Sequence, residues 1–179
     1  MRDVPYREAV GALNWATLAT RPDIAFAVAT VARFAVNPGP AHWDTVKCIY
    51  CYLLGTCDLW LSYSETQWTL DGFVDADSSM AEDRRAISGY AFLIDGGAVS
   101  WSSKKQELVS LSTTESQYVA ATHSMKEALW LQSLLEDAFA PIQKPTILFS
   151  DNQSMIALMK DHCYHMQTKH IDVRYHFIR

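Results

Sequence analysis

Glycine and proline are scarce in this chain, 7 and 6 among 179 residues, and that scarcity excludes collagen-like and low-complexity architectures. Nowhere does an apolar run approach the roughly 18 residues that a membrane-spanning helix needs. The start, Met1-Arg2-Asp3-Val4-Pro5-Tyr6, has no signal-peptide core, so a soluble chain with nothing directing secretion is expected. Cysteine is limited to Cys48, Cys51, Cys57 and Cys163, three of them crowded into one region. That is a poor disulfide framework for a chain of this size, and reduced thiols without a disulfide are expected. Positive charge is also short: 15 Lys and Arg face 20 Asp and Glu, a net charge of −5. This argues against a strongly basic binding surface, although a protein that gathers carboxylates around metal ions has its charge restored by those ions.

What is present suffices for a sizeable core, with 49% hydrophobic and 20% charged residues. The length accommodates one ordinary domain, or a small domain with a helical appendage. Apolar residues recur at helical spacing over residues 6–20, 23–36 and 42–54, the last with a stripe of Trp43, Val46, Ile49, Tyr50 and Leu53. From there the period changes towards 2, and strands are expected at 59–63, 68–75, 87–94 and 98–102, with Gly96-Gly97 as a hairpin turn. A long helix over 113–139, capped by Ser112 or Thr113 with Glu115 close behind, precedes a short strand at 146–149. A helix opening at Asp151 or Asn152 and a last one from Lys169 complete the order: three helices, then strands, the long helix, a strand and two helices.

Three carboxylates stand where strands end or the long helix begins. Asp75 closes Gly72-Phe73-Val74-Asp75, Glu115 lies in the first turn of the long helix, and Asp151 follows Ile147-Leu148-Phe149-Ser150. Singly, each has a structural reading: a turn cap, a helix-dipole partner and an N-cap. Together, beyond the strand ends of an α/β sheet, they form the kind of oxygen cluster that takes Mg²⁺ and leaves room for a substrate phosphate. Two ions about 3.5–4 Å apart can stabilise both the attacking and the leaving oxygen in phosphodiester hydrolysis.

The strings Phe73-Val74-Asp75-Ala76-Asp77, Ser88-Gly89-Tyr90-Ala91-Phe92-Leu93, the run 99–106 (VSWSSKKQ), the run 111–118 (LSTTESQY), the run 150–154 (SDNQS) and the run 168–176 (TKHIDVRYH) resemble the ribonuclease H domain of copia-type retrotransposon polyproteins. Upstream, the runs 6–14 (YREAVGALN), 20–25 (TRPDIA) and 42–47 (HWDTVK) resemble the segment that joins the reverse transcriptase to that domain. The resemblance extends, in order, over essentially the whole chain. It implies a helical connection segment over 1–66 and a ribonuclease H domain over 67–179, C-terminally truncated. The implied fold is α/β, a ribonuclease H-like mixed sheet with flanking helices, preceded by three helices.

The same resemblance implies two-metal hydrolysis of the RNA strand of RNA–DNA hybrids during reverse transcription. Asp75, Glu115 and Asp151 would be catalytic and would hold two Mg²⁺ or Mn²⁺ ions, with Asp77 a neighbour of the first. The RNA 2′-hydroxyl marks the strand to be cut. Implied partners are the hybrid and the polymerase portion of the parent polyprotein, with no membrane and no small-molecule cofactor. The implied location is a cytoplasmic particle of the parent element, with access to the nucleus. The family's fourth carboxylate lies downstream of the segment that Tyr175 to Arg179 resembles, and Asp172 belongs to a separate family string. The resemblance further implies basic residues where this chain has Cys48, Cys51 and Leu54, and Arg where it has Cys57 and Gln167. A catalytically impaired remnant that folds and binds nucleic acid or protein is therefore the alternative expectation.

Other features divide between plain and functional roles. Lys104 and Lys105 beside Trp101 suit a nucleic-acid backbone or simple solubility. Asn152 suits a helix cap or a substrate contact, and His170, Asp172 and His176 suit substrate contact or a solvated helix face. Cys48-Ile49-Tyr50-Cys51 has zinc-like spacing, with His162, Cys163 and His165 as conceivable partners, yet core packing in an apolar stripe is expected. Most of the six Trp are expected in the core.

Overall fold

Helical periodicity in the first third and alternation in the rest produce two compact units, Met1–Ser62 and Tyr63–Arg179. The structure, a computed structural model, describes residues 4–64, 69–77, 85–138 and 145–160. Among these no helix is long and apolar enough to cross a membrane.

The first unit holds α1 (Tyr6–Ala19), a 3₁₀ turn (Pro22–Ile24), α2 (Ala25–Ala32) and α3 (Pro40–Gly55). In α1 the buried residues are Tyr6, Val10, Leu13 and Thr17, one face of a 3.6-residue period. Trp15 and Leu18 fall off that face and stand 74% and 73% exposed. The expectation that most Trp are core fails here, and also at Trp60 and Trp130, which are exposed. Helix α2 stops at Ala32, short of the expected 36, because the chain tightens into i+3 hydrogen bonds from Phe34 N–H to Val31 and from Ala35 N–H to Ala32. Val46 and Ile49 carry α3 into the core beside Val28 and Val31. Cys48 and Cys51 do not: both are exposed free thiols on the outer side of α3, which corrects the expectation that they pack in the core.

Polar contacts tie these helices together, among them those of Tyr6 and Arg21. The buried Tyr6 hydroxyl donates to the Val31 carbonyl at 2.8 Å. Arg21 grips Asp23 through two hydrogen bonds of 3.0 and 2.7 Å and also donates to the Thr56 carbonyl and hydroxyl at the end of α3. The Arg21 guanidinium holds the Asp23 carboxyl below its usual range, against the opposing pull of desolvation.

The second unit is α/β: a mixed four-stranded sheet with helices packed on it. Strands β1 (Leu70–Asp77), β2 (Ile87–Ile94), β3 (Gly97–Lys105) and β4 (Ile147–Phe149) stand in the order β3-β2-β1-β4. Strand β1 is antiparallel to β2 and parallel to β4. Residues 59–63 form no strand. Side chains anchor that segment's end instead, the Tyr63 hydroxyl donating to the Ala98 carbonyl and the Ser64 hydroxyl to Asp95 O, both at 2.8 Å. The β2–β3 turn is Asp95-Gly96, one residue earlier than expected. Both have positive φ, 48° and 86°, as a type I′ turn requires, and Gly97 already pairs with Ile94.

Alternation along β1 buries Leu70, Gly72, Val74 and Ala76 and leaves Phe73 and Asp75 exposed. The long α4 (Thr113–Ala138) covers the buried face through Ala120, Ala128 and Leu131. On its other flank Tyr118, Val119 and Ala121 receive Met155 and Leu158 of α5 (Gln153–Lys160). This double contact explains an unbroken buried run from Ser116 to Thr122. Helix α4 begins as expected, Ser112 Oγ accepting the Glu115 N–H at 3.2 Å. The last helix expected from Lys169 lies outside the described residues.

Two outcomes are expected from this packing. A Cβ at Gly72 would stand 2.5 Å from Phe92 and 2.9 Å from Leu148, so Gly72→Ala should lower stability by about 1–3 kcal/mol in urea denaturation. In the first unit, the Asp23 carboxyl, held below its unfolded value, contributes stability that is present above the unfolded value and lost as pH falls through the lower folded value. Urea melts should therefore show wild type more stable than Asp23→Asn near neutrality, with the gap closing below about pH 4.

Candidate functional site

Parallel pairing of β1 and β4 sends their C-terminal ends to the same edge of the sheet. The register sets Phe73 opposite Phe149, and the two rings stack with centroids 5.1 Å apart. Two residues beyond each lie Asp75 and Asp151, so the acids inherit their proximity from the strand register. Both line one cavity of about 590 Å³ together with Phe73, Phe149, Gly89 and Tyr90. Gly89 is the β2 residue paired with Asp75, and its missing side chain leaves that wall open. Burial pushes the Tyr90 phenol above its usual pKa, and the Glu127 carboxylate adds to the effect.

Each expected site residue has a defined place. Asp75 is exposed, and its Oδ1 accepts hydrogen bonds from the Ala76 N–H at 2.7 Å and from Gln117 Nε2 at 2.6 Å. Asp151 is exposed just after β4. The N-cap role falls to its neighbour Asn152, whose Oδ1 accepts the Met155 N–H at 2.8 Å. Glu115 is not among the cavity residues; its Oε2 accepts the Leu111 N–H at 2.7 Å, a variant of the capping box reaching one residue further back. Asp77, the outermost residue of β1, is exposed. Lys104 and Lys105 end β3, an edge strand of the described sheet, with Lys104 exposed. Lysine there also blunts strand-to-strand association. His170, Asp172 and His176 lie outside the described residues, as do His162, Cys163 and His165.

Two glutamines that a search for carboxylates passes over organise this end of the sheet. Gln106 is buried and donates to Ser88 Oγ and to the Ser116 carbonyl, both at 2.8 Å, while the Ser110 hydroxyl donates to its Oε1 at 3.1 Å. It thereby fixes the first turn of α4 against β2. Gln117, also buried, is the α4 side chain that meets Asp75. Its only sequence signal is its helical position, two residues after Glu115.

The fit to divalent metal follows from these contacts. Two carboxylates on an accessible cavity suit one Mg²⁺, which is commonly held by one or two carboxylates with the rest of its shell from water and substrate. Among the described residues, no three His, Cys, Asp or Glu side chains stand close enough to hold one ion together. Among the described residues, Glu115 accepts the Leu111 N–H at the start of its helix, and α4 presents the Gln117 amide to Asp75.

The chain is 48% identical, over its full length, to the retrovirus-related Pol polyprotein from transposon TNT 1-94 of Nicotiana tabacum. It is 33% identical over 97% of its length to the Pol polyprotein from transposon RE2 of Arabidopsis thaliana. It spans 14% and 12% of those two proteins. It is also 44% identical, over 73% of its length and 94% of the other, to the secreted RxLR effector protein 161 of Plasmopara viticola. No protein-family model and no solved structure matches it. The chain therefore belongs to the family of retrovirus-related Pol polyproteins of copia-type retrotransposons, of which it corresponds to a segment.

Proposed function

We propose that residues 67–179 are the ribonuclease H portion of such a polyprotein, with a ribonuclease H-like fold, and that residues 1–66 are the connection to its polymerase. The reaction is hydrolysis of the RNA strand of an RNA–DNA hybrid. One observation carries the reading: Asp75 and Asp151, from adjacent parallel strands, share a single cavity at the sheet edge. The mixed sheet and the β-β-β-α-β-α order support it.

In this reading Asp75 and Asp151 hold divalent metal, Mg²⁺ or Mn²⁺, which when bound lowers the pKa of a water and offsets charge on the phosphate. Glu115, which caps the start of α4 as placed, remains the proposed third ligand. The Phe73–Phe149 pair offers an aromatic wall beside the acids on which a base or sugar can rest. Lys104, at the end of β3, adds positive charge for a phosphate backbone. Lys105, Asn152, His170, Asp172 and His176 remain proposed contacts to the hybrid. The polymerase portion is the proposed protein partner, and a cytoplasmic particle of the parent element the proposed location.

A second reading, a segment that binds hybrid but cuts it poorly or not at all, is favoured by the amide of Gln117 on Asp75. The two separate in one assay with labelled RNA–DNA hybrid and Mg²⁺ or Mn²⁺. Metal-dependent RNA cleavage, reduced at least about 100-fold in Asp75→Asn and in Asp151→Asn with hybrid binding retained, is the expected result. Binding without cleavage in every sample establishes the second reading, and neither binding nor cleavage overturns both.

A further inference from the structure

We infer that Gln117 is a built-in competitor of divalent metal at Asp75: its amide N–H group occupies the carboxylate oxygen on which a cation would sit. Gln117 Nε2 lies 2.6 Å from Asp75 Oδ1 and 3.2 Å from the Ala76 carbonyl oxygen. A carboxylate and a carbonyl only accept, so the atom between them is the nitrogen and the amide can adopt no other orientation there. The side chain is 5% exposed, and its Oε1 is buried without a hydrogen-bond partner among the described residues. The residue leaves one polar atom unsatisfied and spends its donor on Asp75.

With the Ala76 N–H on the same oxygen, Oδ1 accepts two donors, which reduces its capacity to bind a cation. Asp75 is exposed and lines the cavity that Asp151 shares, so an ion has access and competes with the amide. Replacing the NH₂ of Gln117 by an oxygen of the same size reverses this arrangement. Two acidic oxygens 2.6 Å apart, beside a carbonyl, repel unless a cation or a proton lies between them. The same backbone thus carries either a metal-independent pair, Asp75 with Gln117, or a metal-requiring pair, Asp75 with a glutamate in that position. The inference depends on the ribonuclease reading only for the substrate, and metal binding tests it without nucleic acid.

The test titrates Mn²⁺ alone into the full chain, by calorimetry and by thermal melting, for wild type, Gln117→Glu, Gln117→Met and the double variant Gln117→Glu/Asp75→Asn. Gln117→Glu is expected to melt below wild type in chelator and to regain stability with Mn²⁺, which it binds on the order of tenfold more tightly. The double variant is expected to lose that gain. Gln117→Met, which frees Oδ1 without adding charge, is expected to bind Mn²⁺ more tightly than wild type and decides the matter if Gln117→Glu folds in neither condition. Equal affinity in wild type and Gln117→Met, or a Gln117→Glu melting point indifferent to Mn²⁺, overturns the inference. Tighter binding in the variants with no hybrid cleavage in any sample leaves the inference standing and removes the ribonuclease reading. Identical cleavage by wild type and Gln117→Glu across Mn²⁺ concentrations, with unchanged Mn²⁺ affinity, does the reverse.

Discussion

Close contact between the Gly72 backbone and the Phe92 ring governs the second unit. Phe92 is fully buried, and with Leu148 it fills the space that a side chain at position 72 would take. That contact lets α4 settle on β1 and β2 through Leu70, Ala128 and Leu131. It also brings Leu148 of β4 against β1, where the parallel register is made. The Phe73–Phe149 stack and the common outlook of Asp75 and Asp151 follow from that register. An acid pair on separate segments therefore depends on one missing methyl group in the middle of a strand.

Around Asp75 the polar groups are satisfied asymmetrically. Gln106 uses both ends of its amide and locks the start of α4 to β2. Gln117 uses only its nitrogen. A buried acceptor left without a donor carries a desolvation penalty of about 1–3 kcal/mol, so the Asp75 contact must offset that loss. Glu115 accepts a backbone N–H at the helix terminus, where its charge also suits the dipole.

Much of this architecture was legible in the residues. Strand β2 runs over the expected 87–94 because its turn signals and alternation agree, and α4 starts at its Ser112 cap. The hairpin turn slipped by one residue because Asp95 also tolerates positive φ, so two dipeptides competed and register chose between them. Residues 59–63 alternate like a strand but form no ladder with the described residues, and alternation alone supplies no partner. Cys48 and Cys51 sit among apolar residues in sequence yet on the outer side of α3, since the buried stripe passes through Val46 and Ile49. The proximity of Asp75 and Asp151 was foreseeable from strand ends; Gln117 was not, because reading for charge passes over an amide that meets a carboxylate only in the folded chain.

Strand β4 is three residues long and joins the described sheet through β1 alone. Its Ile147 and Phe149 are exposed, so few buried contacts resist its release. Segments with so little burial open locally at a small fraction of the global unfolding free energy. Asp75 lies in a strand paired on both sides in the described sheet, whereas Asp151 follows a three-residue strand paired there on one side, so the two acids stand on backbone of unequal support.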